Sequence, residues 1–444
     1  MPAPSAAELK EYAGRRARLM QAIGPDGVAI IPSSREVIRN RDAHYKFRQD
    51  SDFWYLTGFN EPDSVVVLAP GRKEGPRNGE FLMFVRERSK EREIWDGRRA
   101  GPEGAVSEYG ADQAFTSAEL ESMLPQLLTG RDKVHYTLGE HPAWDSRITA
   151  CVREIREVSR RGPSAPTEFV SLDITLHELR LIKSEAELKL LRRACEVSAQ
   201  AHVRAMRATR PGGWEWQVAS EIHHEFEKNA MEPGYGSIVG GGDNACILHY
   251  KENEMQLRDG DLLLIDAGGE YRGYTADITR TFPVNGKYSG AQKEVYEVVL
   301  AAQLAAIEEL RPGNSSARPH EVATRVLTEG LVALGLLKGD PQELIDTGKH
   351  RQFYMHGTGH WLGMDVHDVG RYKLDGQPRP FVAGMVMTVE PGLYIAPDTT
   401  GIDPRFLGIG IRIEDDVLVG ARGPEVLTGG APKRVAEVEA LMAG

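Results

Sequence analysis

Short apolar, β-rich runs are interleaved with amphipathic stretches through the first third of the chain. Val28–Ile31, Val65–Ala69, Phe81–Val85 and Val134–Thr137 have the length and residue types of strands, whereas Glu8–Ile23 and Ser117–Leu128 carry apolar residues at helical spacing. This interleaving predicts an α/β unit and leaves the strand order open. A turn-forming cluster follows, Arg161-Gly162-Pro163-Ser164-Ala165-Pro166, and such composition marks a linker. The expected division is an α/β N-terminal domain over residues 1–170 and a second domain over 171–444.

Beyond the linker the periodicity changes. Ser184 with Glu187 reads as a capping box that opens a helix through Leu188, Leu191 and Ala194, ending near Pro211-Gly212-Gly213. Further helices are predicted over Glu215–Lys228, from Ser289 (with Gln292 as a second capping box) to Leu310, and over Pro319–Leu334. Strand-like runs are Leu262–Ala267, Tyr274–Pro283, Met385–Glu390 and Gly410–Val419. Helices and strands come in blocks, which predicts an α+β domain with helices packed on an antiparallel sheet.

Composition narrows the possibilities. At 444 residues, 41% hydrophobic and 27% charged, the chain can bury two cores and resembles ordinary soluble proteins. A formal net charge of -11 argues against nucleic acid as a partner. Cys151, Cys195 and Cys246 neither frame disulfides nor match a thiolate zinc site, which suits a reducing compartment. The charged residues Glu8, Lys10, Glu11, Arg15, Arg16 and Arg18 precede the first apolar run, and no stretch is apolar enough to span a bilayer. The expectation is a cytoplasmic protein with no membrane partner.

The candidate chemistry is carried by carboxylates. Leu262–Ala267, a glycine-flanked turn and Tyr274–Thr279 read as a hairpin, and a turn centred on Tyr271-Arg272 would set Asp266 directly opposite Asp277. Opposed like charges destabilise a sheet unless a cation lies between them; in another register both aspartates would sit at solvated strand ends. Glu390 ends an apolar run and is held extended by Pro391. Strand alternation puts Arg412 and Glu414 on one face, away from Ile411 and Ile413. Either glutamate alone reads as a surface residue; four carboxylates on strand-like segments of one domain read as a site.

The segment His356-Gly357-Thr358-Gly359-His360 continues through His367-Asp368. The spacing of His356 and His360 matches a zincin pair, but that motif needs a helix with a glutamate beside the first histidine, and Gly357 and Gly359 argue for loop or strand. One imidazole with four carboxylates suits hard or borderline cations such as Mn²⁺, and so much negative charge suits two ions sharing a water activated for hydrolysis.

At these residues the chain resembles the pita-bread metallopeptidases, in particular bacterial aminopeptidase P. The His356–Asp368 segment resembles the family's proline-peptidase signature. Asp266-Ala267-Gly268, Asp277-Ile278-Thr279-Arg280-Thr281, Glu390-Pro391-Gly392 and Arg412-Ile413-Glu414-Asp415 resemble its other ligand segments in the same order. Ser51-Asp52-Phe53-Trp54-Tyr55-Leu56-Thr57-Gly58-Phe59 and Ile94-Trp95-Asp96-Gly97-Arg98-Arg99 extend the likeness into the first domain.

The resemblance implies a pita-bread catalytic domain and two divalent ions, manganese by preference. Asp266 would bind one ion, His360 and Glu390 the other, and Asp277 and Glu414 would bridge both. It further implies that Glu390 shuttles a proton, that His249 and His367 contact the substrate and stabilise the tetrahedral intermediate, that His356 lines a proline pocket, and that Arg412 positions Glu414. Tyr235 resembles the family's active-site tyrosine. Trp95 would reach a neighbouring subunit's active site in a homotetramer, giving the first domain a role in oligomerisation and substrate restriction. The implied reaction releases the first residue of peptides with proline in second position, through a hydroxide held by the two ions. Rival readings are a prolidase confined to Xaa-Pro dipeptides, a non-enzymatic peptide-binding module of the same fold, and a metal-free creatinase-like hydrolase.

Overall fold

The computed structural model describes residues 3–71, 79–158 and 164–444. Arg161-Gly162-Pro163 of the linker cluster lie outside the described residues. The chain forms two compact units, Met1–Arg180 and Leu181–Gly444.

The first unit is built on a six-stranded mixed sheet, in the order Gln113–Thr116, Glu80–Val85, Val65–Ala69, Gly27–Pro32, Lys133–His135, Glu168–Val170. The three central apolar strands pair antiparallel, and the outer ones are added in parallel. Val28, Val67 and Phe84 bury their faces with Leu124, Leu128, Ile148 and Val152 from the helices Leu120–Leu128 and Pro142–Val158. The two outermost strands are short and largely uncovered, so they carry no apolar run that would announce them. The helix Lys90–Asp96 buries none of its residues and exposes 82% of Trp95.

The second unit is α+β with antiparallel pairing throughout its named strands. Its helices Glu185–Ala208, Glu215–Lys228, Gly290–Ile307 and Arg318–Ala333 follow the predicted blocks, and both capping boxes form. One large core unites Val197, Ile222, Val295 and Leu327 of the helices with Ile265, Phe282, Val389 and Ile411 of the sheets.

The hairpin register differs from the expectation. Arg272 and Gly273 both take positive φ, 52° and 86°, as a two-residue turn matched to strand twist requires. The turn therefore centres one residue later, Tyr271 pairs with Tyr274, and Asp266 lies opposite Thr279 rather than Asp277. The run Tyr274–Pro283 breaks into Tyr274–Thr275 and Thr279–Pro283, with Asp277 in the break. Gly268 permits the crossing, because a Cβ there would lie 1.7 Å from the Ala276 carbonyl oxygen.

Gly410–Val419 is likewise two strands. Ile409–Arg412 pairs with Gly392–Ile395, and Asp415–Gly420 pairs with Val386–Val389. Both partners break where Pro391 lacks an N–H to continue the ladder. The pairs Gly392 with Arg412 and Val389 with Asp415 keep one register across the break, so Glu390 stands across from Glu414. The opposition of like charges expected for the aspartates is realised by the glutamates.

Candidate metal centre

These interrupted strands converge on a cavity of about 320 Å³ in the second unit. Its wall includes Asp266, Asp277, His360, Glu390 and Glu414, together with His249, His356, His367 and Arg412. Asp277, His360 and Glu414 offer ligand atoms that all lie within 4.8 Å of one another. His360 Nε2 is 3.4 Å from Asp277 Oδ2 and 3.8 Å from Glu390 Oε1. Its Nδ1 stands 3.0 Å from the Trp361 carbonyl oxygen, which can only accept, so Nδ1 carries a proton and Nε2 faces the carboxylates.

The aspartates meet despite the altered register, because the Tyr235 hydroxyl lies between them, in hydrogen-bond reach of Asp266 Oδ1 at 2.7 Å and of Asp277 Oδ1, with its one proton shared between the two. Arg412 ties the rest together. Its Nη2 donates to Asp266 Oδ2 at 2.7 Å, and its Nε donates at 3.1 Å to Thr279 Oγ1, which donates at 2.6 Å to Glu414 Oε2. Its Nη1 donates at 2.9 Å to the Tyr394 hydroxyl, which lies 2.9 Å from His356 Nε2. One guanidinium thus orients two carboxylates and one imidazole.

Behind this layer Arg280, fully buried, donates to the Glu414 carbonyl at 2.5 Å and to Asp415 Oδ1 at 2.7 Å. Despite burial, Arg280 and Lys433 hold the Asp415 carboxyl far below its usual range. Asp416 accepts the Asp277 backbone N–H at 3.0 Å and fixes the break in that strand.

The donor set calls for positive charge. Burial, then the charge of Asp266, raises the Asp277 carboxyl, and burial with its neighbouring carboxylates raises Glu414 well above the usual range. Burial lifts Glu390 to about 7 against the opposing pull of His360 and Arg412. Burial lowers His360, but its hydrogen bond to Asp277 and the nearby carboxylates outweigh that and bring it to about 9. Without a cation the cavity favours protonated carboxyls; divalent ions ligated by these oxygens and this imidazole would offset the burial and the mutual repulsion behind the shifts. His356, lowered to about 4 by burial and then by Arg412, and His367, lowered by burial and then by His360, favour the neutral imidazole.

Every site residue picked from the second domain either lines this cavity or touches a residue that does. Trp95 belongs to the other unit, on its exposed helix. Thr279 and Tyr394 were not singled out. Alternation along an unbroken Tyr274–Pro283 run would have put Thr279 on the face of Asp277, two residues away, and Tyr394 puts a polar tip in an apolar strand, which calls for a partner.

Residues 189–421 match metallopeptidase family M24, and residues 12–136 match the aminopeptidase P N-terminal domain. The Xaa-Pro aminopeptidase of Escherichia coli strain K12 is 47% identical over 434 residues, covering 98% of this chain and 97% of its own. Among solved structures, aminopeptidase PepP of Pseudomonas aeruginosa has a TM-score of 0.95 at 53% identity and covers 98% of both chains. Zinc-substituted E. coli aminopeptidase P in complex with product has a TM-score of 0.95 at 46% identity, covering 100% of this chain and 99% of the other.

Proposed function

The chain belongs to metallopeptidase family M24, and on that premise we propose that it is an Xaa-Pro aminopeptidase in which Asp266, Asp277, His360, Glu390 and Glu414 hold two divalent ions. The observation that carries this reading is the convergence of four carboxylates and one imidazole on a single cavity, interlocked through Arg412. Asp277 and Glu414 are the proposed bridges, Asp266 completes one ion's set, and His360 and Glu390 complete the other's. The oxygen-rich donors favour manganese.

When bound, such ions polarise the scissile carbonyl and acidify a shared water. The chain's own residues do the rest. Glu390 faces His360 through Oε1 and His356 through Oε2, and is the carboxylate proposed to hold the transferred proton. His249 and His367, on the cavity wall, are assigned to substrate contact and to the tetrahedral intermediate, and His356 to the proline ring. Tyr235 and Arg412 keep Asp266 aimed inward.

The first unit supports a homotetramer through Trp95 and Ile94, whose exposure on a helix with no buried side chain invites cover by another subunit; Trp95 is the residue proposed to reach a neighbour's site. The free cysteines fit a reducing, cytoplasmic setting. Among the described residues, no helix is long and apolar enough to cross a membrane.

The test is cleavage of an Xaa-Pro-Xaa tripeptide and an Xaa-Pro dipeptide by chelator-stripped protein before and after Mn²⁺ is restored. Tripeptide cleavage that returns with the metal is expected; cleavage confined to the dipeptide would overturn the assignment in favour of a prolidase.

A further inference from the structure

Glu215 is buried to 0% exposure, yet the chemistry proposed above gives it no task. Its carboxylate accepts four hydrogen bonds. Oε1 takes the Gly241 N–H at 2.7 Å and Asn244 Nδ2 at 3.0 Å, and Oε2 takes the Tyr250 hydroxyl at 2.8 Å and the Met255 N–H at 2.8 Å. A carboxylate so buried persists only when its lone pairs are filled, and here neutral donors fill them.

All four donors come from residues 241–255, a segment that after the short turn Gly242–Cys246 forms neither helix nor strand. Such a stretch lacks the ladder that normally satisfies backbone groups, and Glu215 supplies part of it. The segment carries Leu248 and His249 to the cavity wall. The Tyr250 ring also packs in a small cluster with Ile238, Ala245, Leu264 and Tyr394, whose hydroxyl joins Arg412 to His356.

We propose that Glu215 is a positioning residue for peptide-bond cleavage, which holds segment 241–255 so that His249 and Leu248 meet the substrate. This rests on the reading of His249 as a substrate contact. Glu215→Gln preserves shape but turns one acceptor pair into an amide that faces two donors. The expected result is a fall of at least about ten-fold in kcat/KM for an Xaa-Pro-Xaa tripeptide, with bound metal per chain unchanged.

A double-mutant cycle separates positioning from general damage. In the His249→Ala background Glu215→Gln should cost less than about three-fold, because the group it aims is gone. If Glu215→Gln does not fold, Tyr250→Phe deletes one donor without reversing polarity, and the same cycle applies with a loss of roughly two- to five-fold. Losses that multiply in the double variant, or a Glu215→Gln enzyme within about two-fold of the parent, overturn the inference. A parent without tripeptide cleavage, or a fully active His249→Ala, overturns the functional reading itself and this inference with it.

Discussion

Replacing Lys183 by methionine should destabilise the second unit out of proportion to one surface charge. Lys183 Nζ lies 2.8 Å from Asp368 Oδ2, and both side chains are 1% exposed. The pair joins the first residues of the unit to the loop bearing His367. Gly363 makes room for it, since a Cβ there would sit 2.1 Å from Asp368 Oδ2. Removing the ammonium leaves a carboxylate in the interior without that counter-charge, a change that typically costs about 3–5 kcal/mol. At on the order of 2–4 °C per kcal/mol for a unit of this size, the melting temperature should fall by roughly 6–20 °C. Because Asp368 adjoins His367, tripeptide kcat/KM should fall as well. The assay is thermal unfolding by circular dichroism, with Lys183→Met/Asp368→Leu as control: removing both charges should restore more than half of the loss. A single variant that melts within about 2 °C of the parent, or a double variant no better than the single, refutes the argument.

Asp266→Asn should abolish turnover and lower metal content by one equivalent per chain, measured by plasma emission; full turnover would remove Asp266 from the ligand set. In the metal-free protein Glu390 titrates near 7 instead of 4.5 and His360 near 9 instead of 6.5. A folded pKa above the unfolded one contributes stability that is complete below the unfolded value and lost as pH rises through the folded value. The metal-free protein should therefore melt at lower temperature as pH is raised from about 5 to about 9. Metal binding near neutral pH should also release protons, seen as a calorimetric heat that depends on the buffer; a buffer-independent heat contradicts this. Gly268→Ala forces a Cβ against the Ala276 carbonyl, 1.7 Å away, and should cost about 3 kcal/mol or more together with metal affinity. An unchanged melting curve and metal content would show that the crossing is not as tight as it looks.

The sequence by itself determined the long helices of the second unit, the central strands of the first, and the side chains that come to line the cavity. Capping boxes at Ser184 and Ser289, apolar periodicity in the long helices and β-rich runs around Ile30 and Leu264 are local signals, and local signals are legible without a fold. Glu390 before Pro391 and the glycine-spaced histidines were legible for the same reason. Tertiary structure decided which charges face each other. Two positive φ angles at Arg272 and Gly273 moved the hairpin register, and the ladder break at Pro391 put Glu390 across from Glu414. The partners of Arg412 and the four donors gathered by Glu215 come from segments up to 146 residues apart. No periodicity encodes such pairings, because they exist only when distant strands and loops are packed together and each buried polar atom must find a partner there.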